Sequence, residues 1–212
     1  MFSKSGLISK HTAKVKAGDG DMDLSSSAQE RALDEMSDES LMQAYANDDS
    51  LAFDTLYARY RIPLYRYMQR QISVSEDILN ELYQDVWLKL VKTRKQYQVK
   101  ASFKTFLYQV AINTIRDYFR RESIRKIVTP LDDDNEVQDN QAEPDQQAEQ
   151  DQLMKKFKIV LSSLPSEQKE VFLLREEAGL TSEQIAEMLE VSVDTVKSRM
   201  RYAVARLKTV LK

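Results

Sequence analysis

Residues 181–207 read TSEQIAEMLEVSVDTVKSRMRYAVARL, which is the most informative stretch of the chain. Thr181 can cap a helix, and Gln184, three residues later, can reach back to complete a capping box. A second helix can begin after Ser192, which is another favourable N-cap residue. Residues 190–192 then form the turn. The sequence therefore predicts two short helices joined by a three-residue turn.

The second of these helices has an apolar face and a polar face. The apolar positions repeat at helical spacing: Val196, Met200, Ala203 and Leu207. The polar face carries the candidate contacts to bases and phosphates: Thr195, Lys197, Ser198, Arg201 and Tyr202. This pattern favours a helix-turn-helix that enters the major groove, although a helical hairpin with a solvated basic face remains the alternative. A left-handed conformation at Glu190 in the turn would cost about 1 kcal/mol.

The composition excludes several classes of protein. The chain of 212 residues has no cysteine, and His11 is its single histidine, so a thiolate zinc site and a histidine-based catalytic pair are both excluded. We predict no catalytic residues, no metal and no cofactor. No apolar run approaches the ~20 residues of a membrane helix, and no secretory signal is visible. These features predict a cytoplasmic protein without direct membrane insertion.

The charges are distributed unevenly along the chain. Residues 129–152 contain nine acidic and no basic residues, and the rest of the chain has 31 basic against 25 acidic residues. Residues 92–126 contain ten bases and two acids, and residues 191–212 contain six bases and one acid. Two basic zones on either side of an acidic spacer are typical of a protein that binds nucleic acid.

The apolar spacing predicts an all-α fold of two small helical domains joined by a flexible acidic linker. Ser37 is the expected N-cap of the first helix, and Pro63 is expected to interrupt the next one. Stripes of apolar residues at spacings of three and four predict one helix over 78–91 and another over 103–121. The predicted organisation is a disordered tail (1–36), an N-terminal helical bundle (37–128), the linker (129–152) and a C-terminal helix-turn-helix domain (153–212).

Five segments together carry a family resemblance. They are ELYQDVWLKLV (81–91), FKTFLYQVAINTIRDYFRR (103–121), LPSEQKEVFLL (164–174), LTSEQIAEML (180–189) and VDTVKSR (193–199). In this order they resemble the bacterial sigma-70 family, in its small extracytoplasmic-function (ECF) branch. The resemblance covers roughly residues 37–211. It implies a non-enzymatic factor for promoter-specific initiation, active in a stress response, whose partners are core RNA polymerase, promoter DNA and an anti-sigma protein.

The resemblance also assigns roles to residues. The set implied to bind core polymerase is Gln84, Asp85, Trp87 and Lys89. The set implied to read and melt the −10 element is Tyr108, Asn113, Arg116, Tyr118, Arg120 and Arg121. The helix-turn-helix is implied to read the −35 element, with Tyr202 standing where the family often has arginine.

Several residues keep two interpretations. Trp87 could equally well contact a partner protein or be buried in the core. Tyr118 and Phe119 could either stack with a base or be buried in the core. Phe106 stands where the family usually has tryptophan, and we expect it in the core.

Two other kinds of protein also stay open. One is a regulator that binds promoter DNA without acting with polymerase, and the other is a helical adaptor whose basic faces bind acidic proteins.

Overall fold

The computed structural model describes residues 31–99, 102–128 and 156–211, and the chain divides into two units, Met1–Met36 and Ser37–Lys212. In the first unit, residues 31–35 are helical. In the second, all regular structure of the described residues is helical, as predicted. Its helices are α1 (Asp38–Ala46), α2 (Ser50–Gln71), α3 (Glu76–Thr93), α4 (Phe103–Val128), α5 (156–162), α6 (Ser166–Glu176), α7 (Ser182–Leu189) and α8 (Val193–Leu211).

Helix α2 runs through Pro63 without interruption, so the prediction of a break at this residue is wrong. A proline inside a helix costs about 3 kcal/mol because it removes one hydrogen bond and its ring crowds the preceding turn. Here Tyr60, Leu64 and Tyr67, on both sides of the proline, are buried along one face of the helix. Burial of these side chains offsets that cost and keeps the helix continuous.

Helices α1–α4 form what we call the N-terminal bundle. Ser37 caps α1 by accepting a hydrogen bond from the Ser40 amide at 3.2 Å, as predicted. Each of the two apolar stripes forms a single helix, α3 and α4, as expected. The carboxylate of Glu39 accepts a 2.8 Å hydrogen bond from the amide of Phe103, which ties α1 to the start of α4. The fully buried side chains include Leu41, Met42, Leu56, Leu64, Leu90, Phe103 and Leu107.

Helices α5–α8 form what we call the C-terminal bundle. Its core contains Val171, Leu173 and Leu174 from α6 together with Ala203 from α8. Pro165 precedes α6, and Gly179 follows it with a φ of +62°, a left-handed conformation that favours glycine at a helix end.

The two bundles contact each other: α2 packs against α6, and α4 packs against α7. The predicted acidic linker (129–152) and nearly all of the predicted N-terminal tail lie outside the described residues. Among the helices of the described residues, none combines the length and the apolar character needed to cross a bilayer.

Candidate nucleic-acid interface

The helix-turn-helix consists of α7, the turn at 190–192 and α8. Thr181 accepts a hydrogen bond from the Gln184 amide at 3.2 Å, and Gln184 Oε1 accepts one from the Thr181 amide at 2.9 Å, so the predicted capping box is present. Glu190 adopts a left-handed conformation with φ +54°. Ser192 then caps α8 by accepting from the Thr195 amide at 3.1 Å, as predicted. These caps fix where α8 begins and therefore which side chains it exposes.

The exposed face of α8 carries the residues predicted to read duplex DNA. Lys197 and Arg201 are exposed, and Tyr202 is 57% exposed with the Arg201 guanidinium 5.4 Å from its ring centroid. The Thr195 hydroxyl shares a 2.8 Å hydrogen bond with the Ser192 hydroxyl, and Ser198 Oγ donates to the Thr195 carbonyl at 2.9 Å. Since both hydroxyls already have partners, the two cations and Tyr202 are the groups best placed to meet a ligand.

A groove of about 540 Å³ runs beside this face. Its apolar walls include Val171, Ile185, Val196, Met200 and Val204. Four basic side chains also border it: Arg175, Lys197, Arg201 and Lys208. A surface with several cations around one concavity attracts phosphate groups.

In the N-terminal bundle, Asn113, Arg116 and Arg120 lie at helical spacing on one exposed face of α4. Arg120 pairs with Asp117 at 2.9 Å, and Arg121 Nε donates to the Asp117 carbonyl at 3.3 Å. This face can present cations to phosphates on the C-terminal side of the Asn113 amide.

The aromatic pair near the end of this face is partly exposed. Phe119 is 43% exposed, and its ring centroid lies 5.2 Å from that of Tyr118, which is half-buried. Burial raises the pKa of Tyr118, so its hydroxyl keeps its proton for donation at neutral pH. The core interpretation of Phe119 is wrong, and both rings remain candidates for stacking with a base.

Tyr108 does not belong to this face, which corrects the sequence-based assignment. Its side chain is fully buried, and its ring packs edge to face on Tyr67 with centroids 5.2 Å apart. Its hydroxyl lies 3.5 Å from the main-chain carbonyl of Glu177. Tyr108 lies on the buried side of α4, together with Leu107, Ala111 and Ile112. Tyr108 therefore has no route to DNA in this structure.

A second cavity, of about 320 Å³, opens beside Asn113. It is lined by Lys89, Thr93, Gln96, Tyr97, Phe106, Val110 and Asn113. Its volume falls within the ~300–1,000 Å³ of small-ligand pockets. Phe106, expected in the core, is only half-buried and forms part of the wall, with its ring 5.4 Å from that of Tyr97.

Sequence reasoning missed Gln96 and Tyr97, which belong to a 3₁₀ turn and its end, directly after α3. Burial and the nearby carboxylates of α1 raise the pKa of Tyr97 to about 12, so its hydroxyl is protonated at neutral pH. The sequence could have indicated these residues, because a glutamine and a tyrosine stand together between the two long predicted helices. Such loop residues are disproportionately used for binding.

The residues implied to bind polymerase lie in different surroundings. Gln84 is exposed and Asp85 half-buried on α3. Trp87 is only 5% exposed, and its ring packs edge to face on Tyr57, with centroids 4.9 Å apart. Lys89 is directed toward α4, where its ammonium bonds to Thr114 at 2.9 Å. The structure favours the core interpretation of Trp87, and only Gln84 and Asp85 retain a clear surface position.

Comparisons with known proteins agree with this geometry. Residues 56–124 match the family model for Sigma-70 region 2, and residues 160–207 match that for Sigma-70, region 4. The chain is 30% identical over 177 residues to the ECF RNA polymerase sigma factor SigM of Mycobacterium tuberculosis, a match that covers 84% of this chain and 86% of the relative. It is 25% identical over 174 residues to the ECF RNA polymerase sigma-E factor of Haemophilus influenzae, covering 79% and 91%.

Two solved structures share the fold. CnrH in complex with the cytosolic domain of CnrY has a TM-score of 0.61 at 21% identity, covering 82% of this chain and 96% of that one. The sigma factor RpoE of Bartonella quintana, in complex with the anti-sigma factor NepR, has a TM-score of 0.60 at 19% identity, covering 75% and 96%. The fold and the two family-model matches together define a helical transcription initiation factor. The chain belongs to the sigma-70 family, in its ECF branch.

Proposed function

We propose that this protein is a sigma factor that binds core RNA polymerase and directs it to a specific set of promoters. The observation that carries the proposal is the pair of helices with exposed basic side chains, α4 and α8, each on its own helical bundle. Helix α8 exposes cations beside a concave surface, and α4 exposes Arg116, Arg120 and Arg121, which is the electrostatic pattern of a nucleic-acid contact. One bundle alone would fit many DNA-binding proteins, whereas the two in this order fit the recognition of two promoter elements.

The C-terminal bundle is the proposed reader of the −35 element as duplex. Lys197 and Arg201 are exposed on α8, and the Arg201 guanidinium lies beside the exposed ring of Tyr202. An arginine in the major groove can bond two acceptors of guanine, and a lysine can neutralise a phosphate. The hydroxyls of Thr195 and Ser198 can add contacts only through their remaining hydrogen-bonding capacity.

The N-terminal bundle is the proposed site of −10 recognition and melting. Asn113 borders the 320 Å³ cavity, and Phe106 supplies an aromatic wall on which an unpaired base can stack. Capture of an unpaired base offsets the cost of removing it from the duplex. Arg116, Arg120 and Arg121 stay in the proposal as phosphate contacts, with Tyr118 as a stacking residue. Tyr108 leaves it.

Core polymerase is the proposed partner of α3, through Gln84 and Asp85 on its surface. An anti-sigma protein is the proposed negative regulator, and a stress signal the proposed reason for its release. The chain contributes no catalysis of its own in this scheme, because polymerase carries out the chemistry. Its place of action is then the bacterial cytoplasm, where promoter DNA and polymerase are found.

Run-off transcription with purified core polymerase tests the proposal. A library of promoter templates is transcribed with core enzyme alone and with core enzyme plus this protein, and the transcripts are sequenced. We expect discrete start sites that share a −10 and a −35 sequence. Salt-dependent DNA binding without any new transcript would instead identify a regulator that acts without polymerase. The absence of both would leave only an adaptor that binds acidic proteins.

A further inference from the structure

Helix α2 has a second apolar stripe on the side opposite its buried face. Its buried residues include Leu56, Tyr60 and Leu64, which pack inside the N-terminal bundle. We call the second stripe the α2 seam, and its residues follow one another at spacings of four and three: Leu51, Thr55, Ala58, Ile62 and Tyr65. A helix that packs only on its own core needs one apolar stripe, so a second stripe indicates a second partner.

The apolar atoms of the α2 seam are open to solvent. Ile62 is 56% exposed, Leu51 is 37% exposed, and Ala58 is also exposed. The Thr55 hydroxyl donates to the Leu51 carbonyl at 3.0 Å, so its polar atom is satisfied and its methyl group is available for packing. Single apolar residues are common on protein surfaces, whereas a contiguous row of them marks an interaction site.

Two exposed charges border the seam on one side. Asp54 and Arg61 are seven residues apart, so they project from the helix in nearly the same direction. Two α2 helices can pack antiparallel with Thr55 of one facing Ala58 of the other. Asp54 of each copy then lies beside Arg61 of the other, and two-fold symmetry forms this ion pair twice. A parallel pair would instead place Arg61 beside Arg66 of the second copy, where like charges repel.

We propose that the α2 seam is the interface of a homodimer, in which two copies of this chain pack antiparallel through α2. A second copy matches both the apolar row and the order of the charges beside it. The seam extends from Leu51 to Tyr65, which is about 21 Å or two heptads of helix. Stable coiled coils usually sustain at least ~3–4 heptads, so this dimer is weak and forms at high protein concentration.

The dimer also affects the polymerase-binding side of α3, a consequence that rests on the proposed function. The Tyr65 ring packs edge to face on Tyr83 of α3, with centroids 5.4 Å apart. The next two residues, Gln84 and Asp85, are the proposed contacts to polymerase. Packed helices lie about 8–10 Å apart, so a second bundle of several helices seated on the seam extends over this part of α3. Dimer formation and polymerase binding therefore exclude each other.

Sedimentation equilibrium of the full chain tests the dimer. Between about 1 μM and about 1 mM, the range of weak association, we expect the average mass of wild type to rise toward twice the monomer mass. Ile62→Glu should weaken association about tenfold or more, because an unpaired carboxylate would be buried in the interface. Ile159→Glu, at a 67% exposed isoleucine of the C-terminal bundle, is the matched control and should associate like wild type. A wild type that stays monomeric throughout would overturn the proposal.

Charge exchange tests the pairing of Asp54 with Arg61. Asp54→Arg places like charges side by side at both ends of the seam and should weaken association about threefold or more. The exchange of Asp54→Arg with Arg61→Glu should restore most of the wild-type association. An exchange variant that associates no better than Asp54→Arg alone would contradict the proposed arrangement.

The sequence has no cysteine, so single cysteines can report the direction of the two helices. Ala58→Cys lies near the two-fold axis, and a short bismaleimide should link its two copies. Gln69→Cys is on the same exposed side of α2, but in the antiparallel dimer its two copies are about 37 Å apart along the helix and should not be linked. Equal linking of both variants would indicate a parallel pair and reject the proposal.

Core polymerase distinguishes the two candidate occupants of the seam. Ile62→Glu should bind polymerase at least as tightly as wild type, because less of it is dimeric. A monomeric wild type whose polymerase affinity falls in Ile62→Glu would assign the seam to polymerase and overturn the dimer. A concentration-dependent dimer in a protein that never supports transcription with core polymerase would leave the dimer standing and overturn the proposed function.

Discussion

Lys89 Nζ donates a 2.9 Å hydrogen bond to Thr114 Oγ1, and this contact joins α3 to α4 in the N-terminal bundle. Thr114 is fully buried, and its hydroxyl donates in turn to the Val110 carbonyl at 2.8 Å. The Lys89 ammonium also lies 3.8 Å from Asp117 Oδ2. A lysine that the family resemblance assigns to polymerase binding therefore has an internal structural role.

We expect Lys89→Met to lower the free energy of unfolding by about 1 kcal/mol. Methionine keeps the apolar stem but leaves the buried Thr114 oxygen without its charged donor. Urea denaturation followed by circular dichroism measures the change. Lys92→Met, at an exposed position of the same helix, is the control and should be close to neutral. Equal stabilities of the two variants would show that the contact of Lys89 with Thr114 does not stabilise the bundle.

Glu190→Gly should raise the free energy of unfolding by about 1 kcal/mol, because glycine adopts a left-handed conformation without the steric cost of a Cβ. The thermal unfolding midpoint measures this gain. Glu187→Gly, inside α7, provides the opposite control and should destabilise by about 1 kcal/mol. A destabilised Glu190→Gly protein would mean that the glutamate side chain contributes more to the turn than its conformation costs.

Phe106→Leu should weaken binding of a single-stranded −10 oligonucleotide by the assembled holoenzyme by about 1–3 kcal/mol. Leucine fills the wall of the cavity but lacks the π face on which a base stacks. Fluorescence anisotropy with a labelled non-template strand measures the loss. Val99→Leu, at an exposed position outside the cavity, is the control. Unchanged affinity of Phe106→Leu would assign the ring to structure rather than to base capture.

Arg201→Ala should cost about 1–3 kcal/mol on the preferred −35 duplex and less on a duplex with one altered base pair, if the guanidinium reads a base. Lys208→Ala, at another basic position beside the same groove, is the comparison for a phosphate contact. It should weaken both duplexes equally and reduce the salt dependence. The same uniform loss in Arg201→Ala would make it a phosphate contact as well.

The stability of the protein should depend on pH through Glu170. Burial raises its pKa above the ordinary value of 4.5, and the nearby Arg116 only partly opposes this. The folded state thus binds the proton more tightly than the unfolded state. The resulting stabilisation is complete below pH 4.5 and is lost as the pH rises through the raised folded pKa.

Glu170→Gln removes this titration. Wild type should therefore lose stability relative to the variant between pH 4.5 and pH 7.5, as measured by urea unfolding at both values. A stability difference that stays constant between the two pH values would show that Glu170 has the same pKa in both states.

Local signals in the sequence predicted the helix ends correctly. The capping residues Ser37, Thr181 and Ser192 each bond to an amide three residues ahead, a contact that depends on a few neighbouring residues. The apolar stripes likewise predicted α3 and α4 as single helices, because the spacing of apolar residues along the chain determines which side of a helix is apolar. The helix-turn-helix followed from such local rules.

The remaining features depend on contacts between distant segments. Helix α2 continues through Pro63 because the residues around it are buried by other helices. The Tyr108 hydroxyl contacts the Glu177 carbonyl, and the Lys89 ammonium bonds to Thr114. Both partners lie on other helices or beyond their ends. The cavity beside Asn113 requires α3, the 3₁₀ turn and α4 to meet. No spacing along the chain specifies such an arrangement.

Pro63 divides α2 into two segments with separate attachments. Before the proline, Arg59 and Tyr60 are bonded to Asp38 of α1, while the arginines after it hold Glu177. A proline has no amide hydrogen, so a helix is more compliant at that point than elsewhere. The two segments of α2 are therefore anchored to different helices, the first to α1 and the second to α6, so the loss of one anchor leaves the other in place.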